Sequence, residues 1–422
     1  MRSRFVTLLI AVFLSIGCFS PVLAQNFAVD AEIGLLYDFD SEQVLFAQDA
    51  DKPWTPASLV KVMTLFVAFD RIKSENIDLN SQVTVSERAW QMGGSQMFLE
   101  VGDKVTFDDL LRGIAVVSGN DACVAIAEAL AGTEELYVQW MNSKAEELGL
   151  NLHFVDVHGL SDANQITALD FAKLVKAYLT DHPQALEYHS QLSFSYQPRS
   201  SRNPIVQANR NGLLKSYEGA DGLKTGHLSS AGYNLVATAE RDGRRLVAVI
   251  LGATSEAKRE QEAAKALDYG FRSFESVSVD QLLPQTQARV YKGRSDYVAL
   301  TTDGARVTVL KGSRDKLSVD AKIEVLQAPI AIGEKVGTLT VYLNGEVLKE
   351  APLFAAGSVE RGNWFTILVD SIVLFFKKLF SSVEEGPATR SFFSYRQKTW
   401  SPMRYTISLV RIQFAGLTLS GL

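Results

Sequence analysis

Cysteine is scarce: the 422 residues hold two, Cys18 and Cys123. Removal of an N-terminal leader would leave Cys123 alone, so an intramolecular disulfide is excluded and the fold must rest on its core. Cys123 lies in the apolar run Ala122 to Ala131 and reads as a buried structural thiol. Excess positive charge is also lacking. The formal charge is −6, which gives no reason to expect a nucleic-acid partner. No residue cluster calls for a metal, and no cofactor is assigned.

A long uninterrupted apolar span is missing too. The run Phe5 to Ile16 is too short to cross a bilayer. It follows Arg2 and Arg4 and precedes the small-residue site Val22-Leu23-Ala24, the order of a secretory signal peptide covering residues 1–24. Ser15 stands where a lipoprotein signal ending at Cys18 would usually place a branched apolar residue. Loss of the two arginines takes the formal charge from −6 to −8.

What is present divides by texture. Residues 25–276 begin with a strand pair around Asp38 to Glu42 and continue through helical segments at Phe107–Val117, Ala122–Ala131, Thr133–Leu148 and Ala168–Tyr178. Strand signals return at Gly222–Lys224, Tyr233–Glu240 and Arg245–Gly252, the last two flanking the hairpin turn Asp242-Gly243. A helix over Ser255–Phe274 follows. Strands at both ends with helices between predict an α+β domain whose sheet joins distant parts of the chain. Residues 277–358 change to short alternating strands and predict a small all-β sandwich that spaces or presents something.

Residues 359–382 predict an amphipathic helix. Trp364, Leu368, Ile372, Phe375, Phe376 and Leu379 share one broad face, while Thr366, Asp370 and Lys377 fall on the other. Asp370 and the Lys377-Lys378 pair interrupt any spanning run, so the helix over residues 363–380 is expected to lie in a membrane surface. The tail 383–422 carries Arg390, Arg396, Lys398, Arg404 and Arg411 and, from Gly386 on, no acidic residue. Two readings stay open for it: a basic membrane-associated tail, or translation of a wrong reading frame.

The segment Pro56-Ala57-Ser58-Leu59-Val60-Lys61-Val62-Met63-Thr64-Leu65-Phe66 is a helix pattern apolar on nearly every side, with Lys61 its single charge. A buried ammonium costs several kcal/mol, roughly, unless it is paired or loses its proton. Lys61 follows Ser58 by three residues, which puts both side chains on one helical face. Ser58-Leu59-Val60-Lys61 fits S-x-x-K, Ser118-Gly119-Asn120 fits S-x-N, and Lys224-Thr225-Gly226 is K-T-G. Each motif alone has a plain structural reading: chance, a helix cap at Ser118 or Asn120, an ordinary turn.

Together they describe nucleophilic acyl transfer. A serine hydroxyl needs a base beside it. A lysine becomes that base when apolar surroundings and a second cation, here Lys224, depress its pKa. Ser118 is placed to relay a proton to the leaving amine, and Asn120 to hold Lys61 or the substrate amide. Gly226 lets a substrate backbone approach closely.

The chain resembles the D-alanyl-D-alanine carboxypeptidases, the low-molecular-mass penicillin-binding proteins, over roughly residues 25–382. Val157-His158-Gly159-Leu160, Asn209-Arg210-Asn211-Gly212-Leu213-Leu214 and Asp221 to His227 carry the likeness beyond the three motifs. The resemblance implies a β-lactamase/transpeptidase-like domain, an antiparallel sheet flanked by helices, and removal of the terminal D-alanine from peptidoglycan pentapeptides. It also implies covalent inhibition by β-lactam antibiotics, and an exported enzyme attached peripherally to the outer face of the inner membrane. By motif position it makes the backbone N–H groups of Ser58 and His227 the oxyanion donors, puts Lys224, Thr225 and Arg259 at the substrate carboxylate, and brings Arg210 near the site. Leu228 stands where the family commonly has threonine.

Two alternatives were weighed. A serine β-lactamase would need a deacylating glutamate after S-x-N, and no convincing E-x-x-x-N pattern stands there. A non-catalytic β-lactam sensor or structural wall-binding protein would not need Ser58, Lys61, Ser118, Asn120 and Lys224 all retained.

Overall fold

The computed structural model describes residues 27–381. The readings made for residues 1–24 and 383–422 lie outside the described residues.

Runs of β-branched and aliphatic residues with no polar alternation suit strands covered on both faces. Five strands form one antiparallel sheet in the spatial order 43–48, 33–38, 244–253, 232–241, 220–228, the middle ones being such runs. Leu35↔Val249 and Leu36↔Ala248 join the first strand to one more than 200 residues later, the long-range closure that the strand-helix-strand order implied. Alternation assigns the two faces. Leu35, Val236, Val247 and Val249 face the main helical layer. Leu36, Leu235, Ala237, Leu246 and Ala248 face a second core shared with the helix Glu256–Ser273. Asp242 and Gly243 take the left-handed backbone that a tight hairpin needs, so Arg241 pairs with Arg244 across the turn.

The apolar helix occupies Val60–Ser74 in the main core, entered through a short 3-10 turn at Ala57–Leu59. Helices Phe107–Ala115 and Asn120–Ala131 pack near it. The second starts two residues earlier than its apolar run, so Asn120 is helical rather than part of the loop. The strand Ala220–Leu228 lies at one edge of the sheet.

The C-terminal β unit has a six-stranded sheet and a two-stranded one, and Val277, Val307, Val309, Leu339 and Leu353 from both sheets share one core. Its junction with the first domain is specific. Gln43 donates through Nε2 to the Thr308 carbonyl at 3.1 Å and accepts from the Thr308 N–H at 2.6 Å, so its amide imitates a neighbouring strand. The Thr308 hydroxyl donates to Asp38 at 3.0 Å, and Arg244 pairs with the same fully buried carboxylate at 2.7 Å.

The helix Trp364–Ser381 docks through its polar stripe. Asp370 is buried and accepts from the backbone N–H of Lys292, and Lys377 lies 5.5 Å from the Tyr291 ring centroid. Trp364 and Phe375 are 76% and 64% exposed, so the apolar face points away from the protein.

Candidate active site

Ser58 lies in the 3-10 turn and Lys61 one turn on, the spacing that brings the Lys61 Nζ to 3.0 Å from the Ser58 Oγ. Ala57, just before the nucleophile candidate, has φ +52°, and Ser118 has φ +62°. A non-glycine residue in this region carries strain of order 1–3 kcal/mol, which the surrounding packing must hold. Both strained positions belong to the site.

Lys61 is fully buried. Its Nζ donates to the Asn120 Oδ1 at 2.8 Å and to the His158 carbonyl at 2.5 Å. Asn120 cannot turn its amide round without loss, because its Nδ2 donates to the Gly93 carbonyl at 2.7 Å. A neutral amine has two N–H bonds and one lone pair. With the amine neutral, the two carbonyl oxygens would take its N–H bonds and leave the lone pair for the Ser58 hydroxyl; protonated, the Nζ donates to the Ser58 Oγ as well. Burial pushes the Lys61 pKa down, the Arg210 charge pushes the same way, and Asp156 and Asp121 oppose them.

Lys224 is also buried, and its Nζ donates to the Ser118 Oγ at 3.0 Å and to the Thr225 carbonyl at 3.0 Å. The sequence reading made Lys224 the second cation acting on Lys61. In the structure Lys224 and Lys61 share one pocket and disfavour each other's charge: Lys224 is held well below the usual lysine range by burial, then by Lys61 and Arg210, and Arg210 also lowers Lys61. The physical reason is that Lys224 shares the same dry environment and resists charging too. Gly119, not Ser118 or Asn120, is the helix cap residue, and it makes no side-chain cap bond. The side chains of Ser118 and Asn120 turn to the two lysines instead.

The 220–228 strand brings Gly226 against the nucleophile turn. A methyl group there would sit 2.6 Å from the Pro56 carbonyl oxygen and 3.2 Å from the Ser58 nitrogen. Glycine keeps the space beside the Pro56 carbonyl and the Ser58 N–H clear of a side chain. His227 is exposed, with its ring stacked 4.1 Å from that of Tyr233. Arg210 is exposed. Arg259 is 2% exposed: it donates to the Arg210 carbonyl at 3.2 Å and lies 5.8 Å from the Tyr233 ring centroid. Arg259 thus supports Arg210 from behind.

Two contributors escaped the motif search. The backbone carbonyl of His158 was not foreseen as a partner of Lys61, although the Asp-x-His-Gly pattern at 156–159 marks a turn. Asn234 reads in the sequence only as part of a strand. Its Nδ2 donates to the Thr55 and Pro56 carbonyls at 3.0 and 3.2 Å and its Oδ1 accepts from Gly252 at 2.9 Å. A lone asparagine in an apolar strand was the available signal.

A half-buried serine beside a buried lysine, a second serine–lysine pair and a sheet edge beside them define a serine acyltransferase or hydrolase of the penicillin-interacting type. The family profile described as D-alanyl-D-alanine carboxypeptidase matches residues 21–255, and that of the penicillin-binding protein 5 C-terminal domain matches residues 271–361. The D-alanyl-D-alanine carboxypeptidase DacC of Escherichia coli is 38% identical over 84% of this chain and 90% of its own. DacF of Bacillus subtilis is 33% identical over 87% and 97%. Among solved structures, penicillin-binding protein 5 of Haemophilus influenzae aligns with a TM-score of 0.70 at 34% identity, covering 80% of this chain and all of that one. The chain belongs to the D-alanyl-D-alanine carboxypeptidase family of serine peptidases.

Proposed function

We propose that this carboxypeptidase removes the terminal D-alanine of peptidoglycan pentapeptides through an ester on Ser58. The observation that carries the residue roles is the Lys61 amine, held by two carbonyl acceptors with the Ser58 hydroxyl as its remaining neighbour. The Ser58 oxygen attacks the carbonyl of the penultimate D-alanine as Lys61 takes the hydroxyl proton. The N–H groups of Ser58 and His227 receive the oxyanion. Removing one such donor typically costs about 2.7–4 kcal/mol of transition-state stabilisation.

The amide C–N bond then breaks as Ser118 relays to the leaving amine the proton that Lys61 took; water, giving a proton to Lys61, attacks the ester, and Lys61 returns that proton to the departing Ser58 oxygen. Lys224, Thr225 and Arg210 receive the terminal carboxylate, with Arg259 positioning Arg210. A β-lactam enters the same path and stops at the ester.

The catalytic unit is assigned to residues 25–276, the β unit to 277–358 and the anchor to 359–382. Among the described residues no helix is long and apolar enough to cross a membrane. The outward apolar face of Trp364–Ser381 supports seating on a lipid surface, and the leader-like residues 1–24 support export to the outer face of the inner membrane.

The deciding experiment is incubation with diacetyl-L-Lys-D-Ala-D-Ala, with release of D-alanine measured. Release at catalytic rates is expected. Rapid turnover of penicillin with no release of D-alanine would instead make the protein a β-lactamase, and stoichiometric acylation without turnover of either would make it a sensor.

A further inference from the structure

The turn that presents the His158 carbonyl is built around one buried carboxylate. Asp156 Oδ1 accepts from the N–H groups of His158 at 3.1 Å and Gly159 at 2.5 Å, and Oδ2 accepts from Ser161 at 2.8 Å. Three backbone donors on one side chain wrap residues 156–161 into a fixed loop. Asp156 is 7% exposed, so these bonds form away from competing water.

That loop is gripped twice by the nucleophile helix. The Thr64 hydroxyl donates to the Val157 carbonyl at 2.7 Å, and Lys61 Nζ donates to the next carbonyl, that of His158. Gly159, at φ +84°, passes so close to Ala57 that a methyl group would overlap the Ala57 carbonyl. The loop therefore touches the turn bearing Ser58 and the amine beside it.

We propose that Asp156 is a positioning residue for the base: its carboxylate folds the 156–161 loop so that the His158 carbonyl meets Lys61, and its charge tunes how readily Lys61 gives up a proton. This rests on Lys61 being the base for Ser58. The charged and titratable groups acting on Lys61 are Asp156, Asp121 and the Cys123 thiol, which favour its protonated form, and Arg210, which opposes it; Lys224 lies in the same pocket. Those facing Asp156 are Lys61 and the His158 ring, whose Nδ1 lies 3.5 Å from Oδ2; Glu134 lies 3.4 Å from the other ring nitrogen.

The sign is fixed by charge. Asp156 stabilises the lysinium, so its neutralisation lets Lys61 become a free amine at lower pH. A purely architectural carboxylate would change the rate and leave the pH dependence where it was.

The test measures the rate of acylation by a fluorescent penicillin against pH for the full chain, Asp156→Asn and Asp156→Ala. Each rate is normalised to the sites labelled at saturation, which counts folded enzyme. Asp156→Asn keeps one acceptor oxygen. Its acid limb is expected to move to lower pH by about half a unit to one unit, with its plateau lowered less than about tenfold. Asp156→Ala loses all three backbone bonds, and its plateau is expected to fall by at least about tenfold. An acid limb unmoved in Asp156→Asn, or a plateau unchanged in Asp156→Ala, would overturn the proposal. Should Asp156→Ala give no labelled sites, the asparagine variant decides. Failure of the underlying reading is distinguishable, because Lys61→Ala would then acylate at the full rate while Asp156 remains intact.

Discussion

Lys61 Nζ lies 2.8 Å from Asn120 Oδ1, and the same amide donates from its other end to the Gly93 carbonyl at 2.7 Å. One side chain thus ties the base candidate to a loop nearly thirty residues upstream of itself. In Asn120→Ala the buried amine loses an acceptor and the Gly93 carbonyl loses its donor. Acylation is expected to slow by about tenfold to a hundredfold, from an unsatisfied-group cost of about 1–3 kcal/mol. Stopped-flow acylation rates check this, and a rate within twofold of the parent would count against the tie.

Ser58→Ala removes the oxygen that forms the ester. Covalent labelling by fluorescent penicillin is expected to vanish while the melting temperature stays near that of the parent. A labelled peptide that still contains position 58 would remove Ser58 from its role.

Lys61 titrates below the ordinary lysine value because burial penalises its charge. Below its lowered pKa it is protonated and cannot take the Ser58 proton; above it the free base accumulates. Acylation should therefore rise with pH through a limb well below the unperturbed value of about 10.4. A limb found only near that value would mean the amine is solvated in the working enzyme.

Gly226→Ala puts a methyl group 3.2 Å from the Ser58 nitrogen. The oxyanion position closes, and acylation is expected to fall by about a hundredfold or more, the scale of losing one donor. Parallel thermal melts separate this from unfolding. A fall in rate that only tracks the loss of folded protein would reject the oxyanion assignment for the Ser58 N–H.

Truncation before Trp364 removes the outward apolar face while leaving the five-stranded sheet and its cores intact. Sedimentation with anionic lipid vesicles is expected to lose the truncated protein and retain the full chain, with unchanged hydrolysis of the soluble peptide. Equal sedimentation of both would refute the anchor.

Local patterns carried much of the fold. The Asp242-Gly243 turn, the apolar helix and the alternating strands after residue 277 depend on neighbours a few residues apart, and those are what periodicity records. The three motifs were readable as a set because each carries side-chain chemistry. The contacts of Asn234 with Thr55 and Pro56 were not readable, because nearly 180 residues separate them and only the closed sheet brings them together. The left-handed backbone of Ala57 and Ser118 was equally hidden, since tertiary packing imposes it against local preference. The resemblance puts Arg259 at the substrate carboxylate; its burial and its bond to the Arg210 carbonyl were not readable, because 49 residues separate the two.

Gln43 pairs with both backbone groups of Thr308, and Asp38 adds a side-chain bond to the same residue. A junction made in this way resists hinging and shear, because either motion breaks several directional bonds together. With the terminal helix docked on the β unit by Asp370, the catalytic domain, the β unit and the helix are joined end to end by directional bonds. A surface that held the helix's outward face would therefore hold the cleft at one fixed distance from itself.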